Sequence, residues 1–227
     1  EQQCEMVVQY TRSDLNTGSQ LAAAVDDIFF TAFQILCLGR CFLMATGLVS
    51  NCCQVQLSSG HALDEVIAEA ERRELRVVEL RQGCLGTYES GDAGIPDAHR
   101  LSELPNRFPR MSFNIAMSVP FLSSIGSVSA SMLESGRRAA VAVAGSGQPH
   151  LRLVDLESPF DINYELAQRN LVALARSMET IDGLLSIEHS FQQWSGLLHA
   201  FRSARSSLDS QKKRLRLCFD PCNLQMA

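Results

Sequence analysis

From Ser158 to about Leu217, apolar residues recur at alternating steps of four and three, and this periodicity constrains the chain more than any other feature. One series runs Ala167, Leu171, Leu174, Met178, Ile181 and Leu185. A second runs Leu184, Ile187, Phe191, Trp194, Leu198, Phe201 and Leu208. Each would line one face of a helix. The stretch opens Ser158-Pro159-Phe160-Asp161, where a hydroxyl and a carboxylate can satisfy free backbone N–H groups and proline needs no donor. The two series are offset at Asp182-Gly183, where glycine can supply a left-handed cap. The spacing predicts a long C-terminal helical hairpin, with a coiled-coil-like seam wide enough to grip a partner helix.

The rest of the chain bounds the fold class. Its 227 residues are 46% hydrophobic and 20% charged, which supports a buried core and excludes global disorder. A net charge of −5 gives no whole-protein attraction to nucleic acid or an acidic membrane. Residues 28–49 form the most hydrophobic window, close to a bilayer span in length, but Gln34, Gly39 and Arg40 interrupt it and no Trp or Tyr flanks it. A core helix is therefore favoured over a membrane helix. Apolar stripes predict a helix over 61–74, then strands over 75–80 and 111–119. Pro120 opens a helix to about Ser135, and 139–144 and 151–156 read as two strands of a hairpin. Between these lies a Gly/Pro-rich irregular loop, 83–110. The expected fold is α+β and helix-dominated, a small, mostly antiparallel sheet with packed helices. Two parts are expected, 1–110 and 111–227, which one domain could also contain.

Motifs of catalysis are incomplete. Gly86 to Gly91 has the glycine spacing of a phosphate loop, but Asp92-Ala93 stands where lysine and a hydroxyl are required. Gly145-Ser146-Gly147 follows a predicted strand, yet His150 takes the third glycine position and a strand follows, which excludes a dinucleotide loop. The serines at 123, 127, 131 and 135 lack a nucleophile elbow. The five histidines share no ligand spacing, and Asp26-Asp27 lacks facing carboxylates. Eight cysteines include no C-x-x-C, although Cys37/Cys41 and Cys218/Cys222 are spaced by four. Buried free thiols in a reducing intracellular compartment are the default. Because it begins at Glu1 rather than methionine, the chain is expected to be a processed or trimmed product. No catalytic residue, metal ligand or cofactor is nominated.

The functional expectation follows: a non-catalytic structural subunit of a larger assembly, joined by its C-terminal amphipathic helices. The interaction face would comprise Leu171, Leu174, Met178, Ile181, Leu185, Phe191, Trp194, Leu198, Phe201 and Leu208. A protein partner or self-association is implied. A basic patch of Arg202, Arg205, Lys212, Lys213, Arg214 and Arg216 could also meet nucleic acid or anionic lipid. Two alternatives stand beside it. One is an enzyme with a dispersed site around the 83–110 loop, where Asp92, Asp97, His99 and Arg100 collect. The other is a subunit anchored in a membrane through 28–49.

Overall fold

Short, mostly apolar runs alternate with helices among the described residues after position 46. The computed structural model describes residues 47–91, 94–123, 125–156, 163–190, 192–208 and 213–218. Its centre is one six-stranded sheet of β1 (Gly47–Val49), β2 (Val77–Arg81), β5 (Ser112–Ser118), β6 (His150–Val154), β7 (Leu184–Glu188) and β8 (Leu215–Cys218). All five pairings are parallel, and the spatial order repeats the sequence order. A two-stranded antiparallel ladder, β3 (Glu89–Ser90) with β4 (Ile95–Pro96), stands apart in the β2–β5 connection.

Parallel neighbours require crossovers, and every one here carries helix. The helices α1 (Gln54–Ser58) and α2 (Leu63–Arg72) follow β1, and α3 (Ala98–Leu101) and α4 (Leu104–Arg107) precede β5. The long helices α5 (Ser127–Ala144), α6 (Tyr164–Glu179) and α7 (Trp194–Ser206) then alternate with β6, β7 and β8. Because strand order never reverses, right-handed crossovers put the helices on one face, as in the wall of a (β/α) barrel. That face is apolar: Val78, Leu80, Phe113, Ile115, Met117, Leu151, Leu153, Leu185, Ile187 and Leu215 join the helices in one core.

The expected small antiparallel sheet is thus replaced by a parallel α/β wall, and the reasons are local. Residues Leu184–Glu188 form β7, not helix. Helix α6 ends at Glu179, and Asp182, not Gly183, takes the left-handed conformation at φ 53°. There is therefore no C-terminal helical hairpin and no coiled coil; a buried strand separates α6 from α7. The Ser158–Asp161 start signal lies outside the described residues, and the described helix is capped by Asn163, whose Oδ1 accepts the Leu166 N–H at 3.0 Å. Residues 139–144, expected as a strand, complete the eighteen-residue α5. The strands expected at 75–80, 111–119 and 151–156 are present as β2, β5 and β6, in parallel rather than antiparallel pairing. The sheet also runs unbroken across position 110, since β2 and β5 pair directly. Of the 28–49 window, only 47–49 is described, and it is strand β1. Among the described residues no helix is long and apolar enough to cross a membrane.

Helix α7 meets α6 closely at Gly196, where an added Cβ would overlap the Tyr164 ring. Gly196→Ala is therefore expected to destabilise the fold by about 1–3 kcal/mol, as overpacking does, read as a lower midpoint in urea unfolding.

Candidate functional site

Side chains alternate along a strand, so the face opposite the helices carries Glu79 and Arg81 of β2, Asn114, Ala116 and Ser118 of β5, His150 and Arg152 of β6, Ser186 and Glu188 of β7, and Arg216 of β8. In an open antiparallel sheet this polar face would meet water. Here Glu79, Asn114, Arg152, Ser186 and Glu188 are only 2–6% exposed. This face of the parallel wall is buried as well, and the sequence supplies it with charge instead of branched hydrocarbon.

The charges form one cluster. Arg152 Nε donates to Glu79 Oε1 at 2.8 Å, and Nη2 lies 2.5 Å from the same oxygen. Arg152 Nη1 pairs with Glu188 Oε2. Asn114 Nδ2 donates to Glu79 Oε2 at 2.8 Å. Arg152 reaches over β5 to do this, and its register partner there is Ala116, whose single methyl leaves room for the guanidinium. His150 Nε2 lies 2.8 Å from Ser186 Oγ in the adjacent strand.

The carboxyl ends of the strands, where barrel-type folds place their chemistry, carry the remaining polar groups. Arg81 closes β2, its backbone N–H donating to Ser50 Oγ at 2.8 Å and its Nη2 to Ser118 Oγ. Burial, and then the charge of Arg152, hold its guanidinium down at about 10. Cys52 and Cys53 follow β1, and Cys84 follows β2. Burial, then the neighbouring Cys52 and Cys84 thiols, push Cys53 up to about 11; burial and then Glu89 push Cys84 up. Glu89 itself is raised by burial against two backbone donors, the N–H groups of Gly83 and Leu85. Beyond β6, Asp155 Oδ2 accepts the Phe121 and Leu122 N–H groups at 2.8 and 2.9 Å. Beyond β7, Gln192 ties Ser190 N–H to the Asp155 carbonyl, and His189 packs edge-on against Trp194. The rim from β5 to β7 is therefore stitched by buried side chain–backbone bonds. Among the described residues, no group of three or more His, Cys, Asp or Glu side chains could hold a metal ion.

The residues singled out from sequence fall elsewhere. Leu171, Met178, Leu185, Phe201 and Leu208 are buried in the core, with Leu174 and Ile181 packed against it and Trp194 and Leu198 half-buried. Phe191 lies outside the described residues. A seam joining this chain to an assembly is thus replaced by packing against its own sheet. The described basic residues are spread over α7, β8 and the segment before β8. Arg202 and Arg205 are on α7, where Arg205 stacks on Phe201, and Arg214 pairs with Asp182 at 2.5 Å. Arg216 stands in β8, Lys213 is exposed, and Lys212 is outside the described residues. So are Asp26, Asp27, Cys37, Cys41, Asp92 and Cys222.

In the 83–110 loop, Asp97 caps α3 through the His99 and Arg100 N–H groups, and Arg100 donates to the Thr87 carbonyl at 2.6 Å. Tyr88 donates to Asp64 at 2.7 Å and accepts from Arg107, which also pairs with Asp64. Burial and the Asp64 bond push Tyr88 up to about 12. These contacts fasten the loop to α2. Sequence reasoning missed Glu79, Asn114, Arg152 and Glu188, polar groups that alternate with apolar ones along their strands. The one available signal was a charge inside Val77-Val78-Glu79-Leu80 and inside Leu151-Arg152-Leu153-Val154.

Comparison with protein-family models and with curated proteins finds no match. Among solved structures, the chain is similar to a xylose isomerase domain containing protein from Salmonella typhimurium LT2, with TM-score 0.53 and 14% identity. The match covers 73% of this chain and 59% of that one, so this chain spans less than two thirds of its neighbour's length. At that identity the likeness shows the fold, an α/β wall of the barrel type. It overturns the expected helix-dominated, coiled-coil fold, and with it the helical seam on which a structural subunit was expected.

Two expectations follow. Arg152→Ala should cost about 3–5 kcal/mol in chemical denaturation, because it leaves two buried carboxylates without their cation. Cys53, whose thiol keeps its proton in the fold up to about pH 11, should be alkylated in the native protein about tenfold or more slower than the exposed Cys52 at pH 9. Its contribution to stability is present below pH 9 and is lost as pH rises through 11. Peptide-resolved mass spectrometry reads the order of labelling.

Proposed function

We propose that this chain is an enzyme acting on a small polar molecule at the inner face and carboxyl edge of its parallel sheet, by proton transfer through a carboxylate. The observation that carries this reading is the buried Glu79–Arg152–Glu188 cluster. Replacing a buried ion-pair network by apolar residues of similar size is often neutral for stability, so a role beyond holding the strands together fits these charges. Their position fits chemistry, because the wall is rigid and its carboxyl edge gathers residues from several strands.

Roles divide by environment. Glu79 receives Arg152 Nε and Asn114 Nδ2, so it is fixed as the anion that orients Arg152. Glu188 is the last residue of β7, one row closer to the carboxyl edge than Arg152. It is the candidate base, taking a proton from a carbon or hydroxyl of the substrate and returning it to the product. Arg152, between the two, can steady the oxygen on which charge develops. The solved neighbour's xylose isomerase domain suggests polyhydroxylated compounds as the first panel to try.

The test is solvent exchange. In D2O, the purified chain is expected to move deuterium into a carbon position of at least one aldose, ketose or hydroxy acid, read by proton NMR. Glu188→Gln should slow that exchange by about 100-fold or more. Undiminished exchange in Glu188→Gln, or no exchange with any member of the panel, would overturn the reading.

A further inference from the structure

Strand register sets three arginines in one row across the inner face. Arg81 pairs with Ala116, Ala116 with Arg152, Arg152 with Ser186, and Ser186 with Arg216. Adjacent strands lie about 4.8 Å apart, so successive arginines stand roughly 10 Å apart with a small residue between them. The two carboxylates that bracket the row both pair with its middle member, Arg152.

Arg81 is treated differently. Its Nη2 is held by Ser118 Oγ, while its buried Nη1 meets no acceptor among the described residues. Burial and then the charge of Arg152 depress its ionisation, outweighing the opposing charge of Glu79. One row away, on the neighbouring strand, Asn114 gives its Nδ2 to Glu79, and its buried Oδ1 has no donor among the described residues. Asn114 is 6% exposed, so leaving that acceptor without a donor is costly. Strand geometry puts the Arg81 and Asn114 Cα atoms roughly 8 Å apart. The face thus offers a guanidinium edge, the Ser118 hydroxyl proton and an amide oxygen, all within the span of a small molecule.

We infer that this face binds a small hydroxylated oxyanion, whose charged group is held by Arg81 and Ser118 and whose hydroxyl donates to Asn114 Oδ1. The inference rests on the proposed site for its location and specifies the ligand's charge, which that reading leaves open. Guanidinium recognises carboxylate and phosphate alike through paired N–H groups, so both groups fit the donor set. A neutral polyol satisfies only the Asn114 half.

Calorimetric titration of the full chain tests this with glycerol 3-phosphate, glycerate and glycerol. At least one of the two anions is expected to bind saturably and at least tenfold more tightly than glycerol, and the tighter one identifies the group as phosphate or carboxylate. Arg81→Gln should weaken that binding at least tenfold, whereas Arg169→Gln, at an exposed arginine of α6, should leave it unchanged. In the unaltered protein, the anion should shift arginine side-chain Nε–H resonances in 15N NMR, a readout that does not depend on the variant folding. No saturable binding of either anion, equal binding of glycerol, or equal weakening by Arg169→Gln would overturn the inference. Deuterium exchange without anion binding removes this inference alone; anion binding without exchange supports it and removes the proton-transfer reading.

Discussion

A guanidinium fixed in a dry interior must find counter-charge there, and Arg152 finds it on two other strands. Glu79 lies two strands away on β2 and Glu188 one strand away on β7. Two strand spacings and one row of register put the Arg152 and Glu79 Cα atoms roughly 12 Å apart, so both side chains extend toward each other above β5. The ion pairs thereby bind β2, β6 and β7 across β5. The core on the other face is generic by comparison, a layer of Val, Leu, Ile and Met against helices, in which many substitutions of equal volume would serve.

This arrangement explains what the sequence could and could not disclose. Period-two alternation located β2, β5 and β6 because their outward residues, such as Val78 and Leu80 or Leu151 and Leu153, face the helices. The same alternation concealed the site. A polar residue between apolar ones ordinarily points to water, and nothing local in Glu79 or Arg152 says that its face is buried. The partners are 73 residues apart for Arg152 and Glu79, and 35 for Asn114 and Glu79. No short motif could carry that geometry. The β7 error has another cause. Leu184, Leu185 and Ile187 satisfy a helical spacing as well as a strand's, and in five residues the two periods cannot be separated. Length and the left-handed Asp182 turn decided for the strand.

The likeness to a xylose isomerase domain containing protein speaks to scaffold alone, at 14% identity. Folds of this class host many unrelated chemistries, so activity has to be argued from the residues on the inner face. Those residues are arranged in rows of alternating charge: Glu79 with Asn114, then the arginine row, then Glu188 with Ser118 and Cys218. A uniformly basic interior would draw any anion. One striped in this way discriminates by where a ligand's charge sits along its length, which is specificity by placement of repulsive as well as attractive groups.

The two proposals meet on that geometry. Arg81 on β2 and Glu188 on β7 are three strand steps and one row apart, roughly 16 Å between Cα atoms. A ligand anchored at Arg81 by an anionic end would direct its other end toward Glu188, with Arg152 beneath its middle. Anchoring at one end restricts the reacting end to a few orientations, the usual means by which binding remote from the reacting atoms lowers a barrier. It also keeps like charges apart, since an anionic group seated at Glu188 would meet a carboxylate in a low-dielectric interior, where repulsion is strong. On the two proposals together, the ligand would lie with its charge at Arg81 on the β2 side and its reacting end at Glu188 on the β7 side.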